Sequence, residues 1–500
     1  MPFFINPYNF VRFDPDMTRR QREVPVIGHG LGQGNTGKID CKVIIKTPIF
    51  TPWNLRSMGI DLSQREIKEL ENAKRQGRGG IITPQGYVET NRNITDKEAL
   101  KRLTDLTSKG YLFKTPNPTP QFVFYKRFSR NHDGLPFIPG STVKGMIRSI
   151  AEAISSACFS MFSAEYRDDI QNRTLIAAFN AIPNSQWQNV GQNVQKTNYN
   201  SPSGNSWEIE RERRRYKVNF SYGIPDESKN DGCYLRDEKK GLCICCRLFG
   251  TSNKSVGEGQ EGQEGFGGKV SFSDIKIENG SLERRFLRDH ALSSPKPHHE
   301  SFYLNHNGNL RGRKFYYHRP PDNEAIKTQY FPGCDAIELL VSGNLSFPVT
   351  YENLSDEELG LLLLSLRLDD SMCHKIGLGK PLGLGTIKIE FDEKGFKNIN
   401  MFDRYKGKKG ADSTEVSYFI NKLKNAKNSF HTDAWEDLRA ILNYPPINHG
   451  LPIKYPDRPS FFNYTANCTI KTCSHYGKPI CEHPLPTAQE VETNTYKLHE

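Results

Sequence analysis

The sequence predicts an α+β fold with one core domain and long additions to it. Three observations lead to this class: segments of alternating β-formers, two capped helical patterns, and the order in which these segments follow one another. That order is strand, helix, strand, strand, helix, strand. It is the βαββαβ order of a ferredoxin-like core, which RNA-recognition (RRM-like) modules share.

The strands are predicted from alternation and β-propensity, and the helices from caps and 3.6-residue spacing. Ser141 follows a Pro-Gly turn as the N-cap of the first helix, which apolar residues continue to about residue 162. A capping box at 355–358 precedes the second helix at 359–368. The predicted strands are 39–46, 269–277, 336–347 and 386–391.

Long polar segments separate these elements. We expect an N-terminal extension at 1–37, a core at 38–392 with insertions at about 53–120 and 163–235, and a C-terminal extension at 393–500. The first insertion contains helical patterns at 62–74 and 96–106, and the second predicts loop or a protruding hairpin. A Gly-rich and Glu-rich tract at 252–268 predicts a flexible loop. The C-terminal extension is helical, with patterns at 416–423 and 434–442, and then rich in cysteine.

The balance of charge favours a polyanionic partner. Sixty-eight Lys and Arg against 57 Asp and Glu give a net charge of +11, and nucleic acid is the commonest partner of such a surface. A protein that is simply basic would have the same charge. There is no secretory signal, and the densest apolar stretch, 360–366, is far too short to span a bilayer. We therefore expect a cytoplasmic protein with no membrane partner.

Two glycine-containing segments predict phosphate contacts. The first helix would present unpaired amides and the positive end of its dipole. Gly140 would let another backbone approach, and Lys144 and Arg148 lie one turn apart on one face. A Gly-rich loop at 377–385 would bring backbone amides close to a phosphodiester, although its order is not that of a Walker loop. The residues predicted to bind RNA in these two segments are Gly140, Ser141, Lys144, Arg148, Gly379 and Lys380.

A third segment, at 310–319, interleaves cations with aromatic residues. Cations can follow phosphates while aromatic faces stack on unpaired bases. The alternative is an exposed hairpin whose aromatic residues belong to the core. The residues predicted to bind RNA here are Arg311, Arg313, Lys314, Tyr316 and Arg319.

Three blocks in this order resemble the RAMP superfamily of CRISPR proteins. They are the segment 137–145, the segment 246–250 followed by the strand that contains Asp274, and the Gly-rich loop 377–385. The resemblance implies a ferredoxin-like core that binds a CRISPR guide RNA. It further implies a backbone subunit that assembles with paralogous subunits in a type III effector complex, which recognises a complementary target RNA.

Clustered cysteines suggest a structural zinc ion, which takes four ligands in a tetrahedron. Cys233, Cys243 and Cys246 are the predicted ligands, and the resemblance supports them because related proteins carry zinc just before the second block. The fourth ligand is open between Cys245 and a distant residue such as His132. Buried thiols without metal are the alternative. A second cluster, from Cys468 to His483, is either a metal site or a set of surface thiols.

No catalytic residue is assigned. Target-cleaving members of the superfamily carry an aspartate shortly before the first helix, and residues 116–132 contain no carboxylate. The alternative function is an RNA endonuclease of the same superfamily that cuts target RNA or processes the guide. His132 and Asp133 would be its most conspicuous pair, and Asp105 is a further candidate.

Overall fold

The computed structural model describes a mixed helix-and-sheet protein with one large sheet. It has six described helices. The described residues are 5–14, 22–23, 34–52, 80–83, 86–89, 111–114, 121–155, 157–158, 195–196, 206–211, 214–219, 233, 241–254, 263–288, 291–292, 311–329, 334–392, 394–400, 415–446, 452–455 and 487–493.

The strands are short outside the core and long within it. In chain order they are β1 (Tyr8–Val11), β2 (Arg22–Glu23), β3 (Asn35–Ile45), β4 (Gly80–Thr83), β5 (Gly86–Glu89), β6 (Tyr111–Lys114), β7 (Gln121–Lys126), β8 (Phe137–Ile138), β9 (Gln195–Lys196), β10 (Ser206–Arg211), β11 (Arg214–Asn219), β12 (Leu242–Cys243), β13 (Gly250–Lys254), β14 (Gln263–Gly267), β15 (Val270–Phe272), β16 (Ile275–Arg288), β17 (Arg313–Tyr316), β18 (Ile326–Lys327), β19 (Cys334–Leu354), β20 (His374–Lys375), β21 (Thr386–Glu390) and β22 (Phe396–Asn400).

The helices lie between the strands of the core and after them. They are α1 (Gly140–Ile154), α2 (Ile244–Phe249), α3 (Asp356–Arg367), α4 (Val416–Asn425), α5 (Thr432–Leu442) and α6 (Ala488–Glu492). No helix among the described residues is long and apolar enough to cross a membrane.

The large sheet is mostly antiparallel. Its central strands follow the order β16, β19, β3, β21, and each neighbouring pair is antiparallel. The strand β7 adds a parallel contact to β19. Helices α1 and α3 contact each other, and their apolar sides join the sheet in one buried core. The predicted mixture of helices and one sheet is therefore confirmed at the level of a large antiparallel sheet with packed helices.

The start of α1 differs from the sequence-based expectation. The helix begins at Gly140, one residue before the predicted cap Ser141, and no side chain at its N-cap position bonds to it. Instead, the Asp274 carboxylate accepts a hydrogen bond from the Gly140 amide at 2.7 Å. A Cβ at Gly140 would collide with the carbonyl oxygen of Phe272. The close approach predicted for this glycine is thus made by the sheet, which caps the helix from a distant part of the chain.

The Asp274 contact also explains why one predicted strand is two. The alternating segment 269–277 divides into β15 and β16, which end and begin on either side of residues 273–274. Both parts pair with β19. The interruption turns Asp274 towards α1, so this acidic residue connects the helix to the sheet. Alternation predicted the strand, but it contains no information about a side chain that leaves the strand to cap a helix.

The second predicted helix has the expected cap and a buried ionic cluster. Ser355 and Glu358 form the capping box of α3. The same Glu358 carboxylate accepts hydrogen bonds from Arg247 and Lys269, both at 2.8 Å. Burial alone would raise the pKa of Glu358, but Lys269 and Arg247 lower it. The ion pairs therefore fix the 246–250 segment against the start of α3.

Several local predictions can be compared directly with the structure. The hairpin expected within 163–235 is present as β10 and β11. The tract 252–268, predicted to be a flexible loop, instead contributes to the antiparallel pair β13 and β14 at both of its ends. The predicted first helix ends at residue 154 and not near 162. The helices expected at 62–74 and 96–106, and the cluster from Cys468 to His483, lie outside the described residues.

The two extensions pack onto the core together. Strand β1 pairs with β17, so the N-terminal extension covers the 311–319 segment. Arg12 forms a bidentate ion pair with Asp437 of α5, with both N···O distances at 2.7 Å. The amide of His431, just before α5, donates to the carbonyl oxygen of Ile154 at the end of α1. The extensions are therefore anchored at the C-terminal end of α1.

Candidate functional site

A cleft of about 920 Å³ lies between α1 and the Gly-rich loop. One wall is α1 from Ser141 to Ser149, and the other is the chain from Lys375 to Lys380. The segment that follows β3 and the segment before β8 close it. The cleft brings together two of the three segments predicted to bind phosphate, although more than two hundred residues separate them. Its lining residues are Phe50, Thr51, Pro52, Ser129, Pro139, Ser141, Thr142, Gly145, Met146, Ser149, Lys375, Ile376, Gly377, Leu378 and Lys380.

The face of α1 towards the cleft contains a row of small residues beside Thr142 and Met146. Ser141, Gly145 and Ser149 recur every four residues and therefore lie on one side of the helix. Their size leaves room for a ligand against the helix. Of the helix residues predicted to bind RNA, only Ser141 lines the cleft. The spacing of these small residues in the sequence is the signal that identifies this face.

The Gly-rich loop is held by the chain just after β3. The amide of Leu378 donates to the carbonyl oxygen of Phe50 at 2.8 Å, and the amide of Gly385 donates to that of Pro48 at 2.8 Å. Gly377 has a φ of +75°, and a Cβ there would collide with the Phe50 oxygen. The glycine at this position is therefore required for packing, and the loop forms a fixed wall of the cleft.

Two lysines on this wall have few partners. Lys375 is 6% exposed, and its ammonium donates one hydrogen bond, to the carbonyl oxygen of Leu384 at 3.1 Å. Burial lowers the pKa of Lys375 to about 7, and the neighbouring charges of Lys380 and Arg319 contribute. Burial also lowers the pKa of Lys380. Among the described residues, no carboxylate pairs with either lysine, so this part of the cleft carries uncompensated positive charge.

The basic face of α1 is turned away from the cleft. Arg148 donates to Glu152 at 2.7 Å and to the carbonyl oxygen of Gly250 at 3.1 Å. Lys144 is half-buried, and its pKa is lowered by burial and by the nearby Arg148. The two side chains share a face, as predicted, but that face adjoins the strand after α2 and does not line the cleft.

The basic and aromatic segment at 311–319 contacts the protein extensively. Lys314 lies 3.6 Å above the Tyr8 ring centre, and burial lowers its pKa to about 8. Arg311 lies over the Phe10 ring at 5.5 Å, and burial lowers its pKa to about 10. Tyr316 packs edge-on against Tyr8. The segment thus contacts β1 through its cations and through Tyr316, which favours the alternative in which its aromatic residues belong to the core.

The other two arginines of this segment, Arg313 and Arg319, bond to protein groups. Arg313 donates to Glu152 at 3.0 Å and to the carbonyl oxygens of Ala157 and Cys158 at 2.9 and 3.2 Å. Arg319 lies 3.3 Å from Asp322 and 3.4 Å from the carbonyl oxygen of Pro381, next to the Gly-rich loop. Arg313 therefore fixes the chain that leaves α1, and Arg319 supports the loop.

Four buried cysteines meet beyond the C-terminal end of α1. The Sγ atoms of Cys158, Cys233, Cys243 and Cys246 all lie within 4.8 Å of one another. Three of them are the predicted ligands, and Cys158 supplies the fourth, in place of the candidates Cys245 and His132. Cys245 points elsewhere, with its Sγ 3.2 Å from the Ser155 hydroxyl. His132 is an exposed side chain in a loop. Cys158 was missed because a long insertion separates it from the other three.

The cluster has the size and chemistry to hold a metal ion. A tetrahedral zinc ion with Zn–S bonds of about 2.3 Å places neighbouring sulfurs about 3.8 Å apart, and Cys158 and Cys246 are 3.4 Å apart at Sγ. The amide of Cys243 donates to Cys233 Sγ at 3.1 Å. Hydrogen bonds from the other thiols, that of Cys158 first, hold the pKa of Cys243 well below its usual range. All four are free thiols, so the group can present thiolate to a cation.

The segment before α1 receives a carboxylate from the sheet. Glu338 of β19 accepts hydrogen bonds from the Phe128 amide at 2.8 Å and from Arg130 at 2.9 Å. The Phe128 contact is buried and the Arg130 contact is partly buried, so Glu338 orders this segment. His132 and Asp133 form an exposed pair at 3.2 Å in the following loop. Asp105 lies outside the described residues.

Comparison with known proteins identifies the family. The model of the RAMP superfamily matches residues 46–388, well over half of the chain. The chain belongs to the RAMP superfamily. A solved structure titled "Type IV-B CRISPR Complex" is similar at 12% identity over 71% of this RAMP chain and 90% of that chain, with a TM-score of 0.24. No curated protein matches the chain.

The family match covers the cleft and the cysteine cluster alike. Helix α1 and the Gly-rich loop lie entirely inside the matched region of this RAMP protein, as do all four cysteines. The resemblance inferred from three short blocks is therefore confirmed at the level of the superfamily. Strand β1 and helices α4 to α6 lie outside the matched region; of these helices, α5 contacts α1 and α4 contacts α3.

Proposed function

We propose that this RAMP protein is a guide-RNA-binding backbone subunit of a type III CRISPR effector complex, active in antiviral defence in the cytoplasm. Its partners would be paralogous subunits, the guide RNA and a complementary target RNA. The observation that carries the proposal is the cleft between α1 and the Gly-rich loop, where Lys375 and Lys380 lack carboxylate partners. A groove with uncompensated positive charge suits the backbone of single-stranded RNA.

The proposal includes a ferredoxin-like core. The elements β3, α1, β16, β19, α3 and β21 follow one another in the βαββαβ order, and their strands lie side by side in the order β16, β19, β3, β21. Two helices connect strands that are not neighbours in the sheet. This arrangement supports the ferredoxin-like assignment and explains why α1 and the loop before β21 meet across β3.

The proposal also includes one structural zinc ion held by Cys158, Cys233, Cys243 and Cys246. Four thiolates are a common ligand set for structural zinc, and their complete burial leaves no open position for a substrate. When bound, the metal would connect the chain after α1 to α2 through its ligands. The protein's own contribution is to bring the four thiols together and to orient them with the Arg313 and Cys243 hydrogen bonds.

RNA binding by the purified chain tests the function. Fluorescence anisotropy with a labelled single-stranded RNA and with a DNA of the same sequence would measure both affinities across a salt series. We expect RNA to bind, with log Kd rising with log salt by roughly 0.7 for each phosphate contacted. Sequencing of RNA that copurifies with the chain should recover a repeat-derived guide. Absence of RNA binding at low salt would refute the proposal.

The same samples test the endonuclease alternative. The labelled RNA, incubated with the chain and Mg²⁺, should remain intact, because the buried Glu338 is occupied by Phe128 and Arg130 and proton transfer needs an available acid or base. RNA fragments that disappear in Asp133→Ala would support the endonuclease. The variant Asp369→Ala, at a described position after α3, is the matched control.

A further inference from the structure

The four-cysteine cluster would carry net negative charge once zinc is bound, because four thiolates outnumber the charge of one divalent cation. All four cysteines are buried, and a buried charge is costly unless an opposite charge lies near it. The cluster also lies beyond the C-terminal end of α1, which is the negative end of the helix dipole. The last turn of α1 contains no basic residue, so cations from other positions have to balance this charge.

Two arginines and one glutamate lie beside the cluster. Glu152 of α1 accepts hydrogen bonds from Arg148 Nε at 2.7 Å and from Arg313 Nη1 at 3.0 Å. The three side chains are between 17% and 25% exposed, so their charges are only partly screened by the solvent. Burial alone would lower the pKa of Arg148, but Glu152 and the nearby Cys246 raise it. The group of three therefore places one net positive charge against the cysteines.

Each arginine also bonds to a chain segment that carries one of the cysteines. Arg313 donates to the carbonyl oxygen of Cys158 at 3.2 Å. Arg148 donates to the carbonyl oxygen of Gly250 at 3.1 Å, and the Gly250 amide donates to the carbonyl oxygen of Cys246. The Sγ atoms of Cys158 and Cys246 lie 3.4 Å apart. The two guanidinium groups therefore hold the chain on two sides of the cluster.

We propose that Arg148 and Arg313, joined by Glu152, balance the charge of the zinc-loaded cluster and position Cys158 and Cys246. This inference rests on the zinc site of the proposed function and deepens it. Both arginines belong to the RNA-binding set predicted from the sequence, and the proposal gives them a different role. Glu152 fixes the orientation of both guanidinium groups, as the partners of metal ligands commonly do for each other.

Zinc affinity of the full chain tests the role of the arginines. Equilibrium competition with EDTA, with the retained zinc measured by elemental analysis, gives this affinity. We expect Arg148→Gln to bind zinc about tenfold more weakly, because groups that support metal ligands typically contribute on this scale. Arg148→Lys keeps the charge and should stay within about threefold of the wild-type chain. Arg439→Gln, which removes an exposed arginine of α5, is the matched control and should bind zinc like the wild type.

Glu152→Gln distinguishes a role of charge from simple structural support. This substitution keeps the size of the side chain and one acceptor oxygen, but it removes the negative charge between the arginines. A charge-balancing role predicts a zinc affinity equal to or higher than that of the wild-type chain. Structural support alone predicts a loss as large as that in Arg148→Gln. Such a loss, or wild-type affinity in Arg148→Gln, would overturn the proposal and leave the zinc site intact.

RNA binding by the same variants is the second measurement. The RNA affinity and its salt slope should not change in Arg148→Gln. A slope that falls by roughly 0.7 would place Arg148 on the RNA and overturn its assignment to the metal. If Arg148→Gln does not fold, Arg313→Gln is measured in its place with the same expected loss of zinc affinity. A wild-type chain that binds RNA but contains no zinc would refute the zinc site itself, and the role of the arginines with it.

Discussion

The two ends of α1 differ in how completely their polar groups are bonded. Around its C-terminal end, Arg148, Glu152 and Arg313 bond to one another or to backbone carbonyls. Near its N-terminal end, Lys375 beside the cleft donates one hydrogen bond, and neither Lys375 nor Lys380 has a carboxylate partner in the described part of the chain. The C-terminal end thus has the features of a structural support, and the N-terminal end has those of a binding site. Basic composition alone does not distinguish them, since both contain cations.

Loss of a cysteine beyond the C-terminal end of α1 should produce the largest effect, a decrease in the free energy of unfolding. We expect Cys158→Ser to lose bound zinc and about 4 kcal/mol or more of unfolding free energy, because a structural metal contributes directly to folding. Cys245→Ser is the matched control, since Cys245 is buried beside the cluster but bonds to Ser155. Elemental analysis and denaturant unfolding provide the two measurements. Zinc retained in Cys158→Ser, or absent from the wild-type chain, would contradict the four-cysteine site.

Loss of Arg313 should have an intermediate effect, on stability and not on binding. Arg313→Ala removes hydrogen bonds from Glu152, Ala157 and Cys158, which should cost about 2 kcal/mol of unfolding free energy. The salt slope of RNA binding should stay the same because the guanidinium is already bonded to protein. The exposed Arg439→Ala is the control. A slope that falls by roughly 0.7 would instead place Arg313 on the RNA, as its sequence context predicts.

The smallest expected effect is a pH dependence of RNA affinity, which arises from Lys375 near the N-terminal end of α1. Burial lowers the pKa of Lys375 to about 7, so this side chain becomes neutral in the free protein as pH rises above 7. A bound phosphate favours the charged form, and binding therefore takes up a proton. RNA affinity should fall with increasing pH, by up to about tenfold per pH unit above 7.

The residues next to Lys375 in the sequence do not change their protonation state over the pH range of this test. Burial lowers the pKa of His374 to about 4 and raises that of Cys373, so both stay neutral across this range. Lys380 and Arg319 are the cations whose charges act on Lys375, and both remain in Lys375→Met. Anisotropy titrations at pH 6, 7 and 8 should give a flat profile for Lys375→Met. If RNA affinity of the wild-type chain does not change with pH, the proposed difference between the two ends of α1 is contradicted.

Local patterns determined most of the secondary structure of the core. The apolar spacing of α1 and the Ser355–Glu358 capping box predicted helices that are present. Three of the four clustered cysteines were identified because they lie close together in the sequence. The predictions failed where a distant contact decides the outcome. Asp274 caps α1 and divides a predicted strand, and residues 263–267 form a strand because they pair with β13.

The sequence by itself therefore determined the superfamily, the order of the core elements and the presence of a cysteine cluster. These depend on local spacing and on short motifs, which a single sequence contains. Only the tertiary structure decided that Cys158 completes the cluster, that Arg313 is bonded to protein, and that Lys375 is buried beside a cleft. The physical reason is that the bonding and solvation of a side chain depend on the groups that folding brings near it. For these residues, most of those groups come from distant segments of the chain.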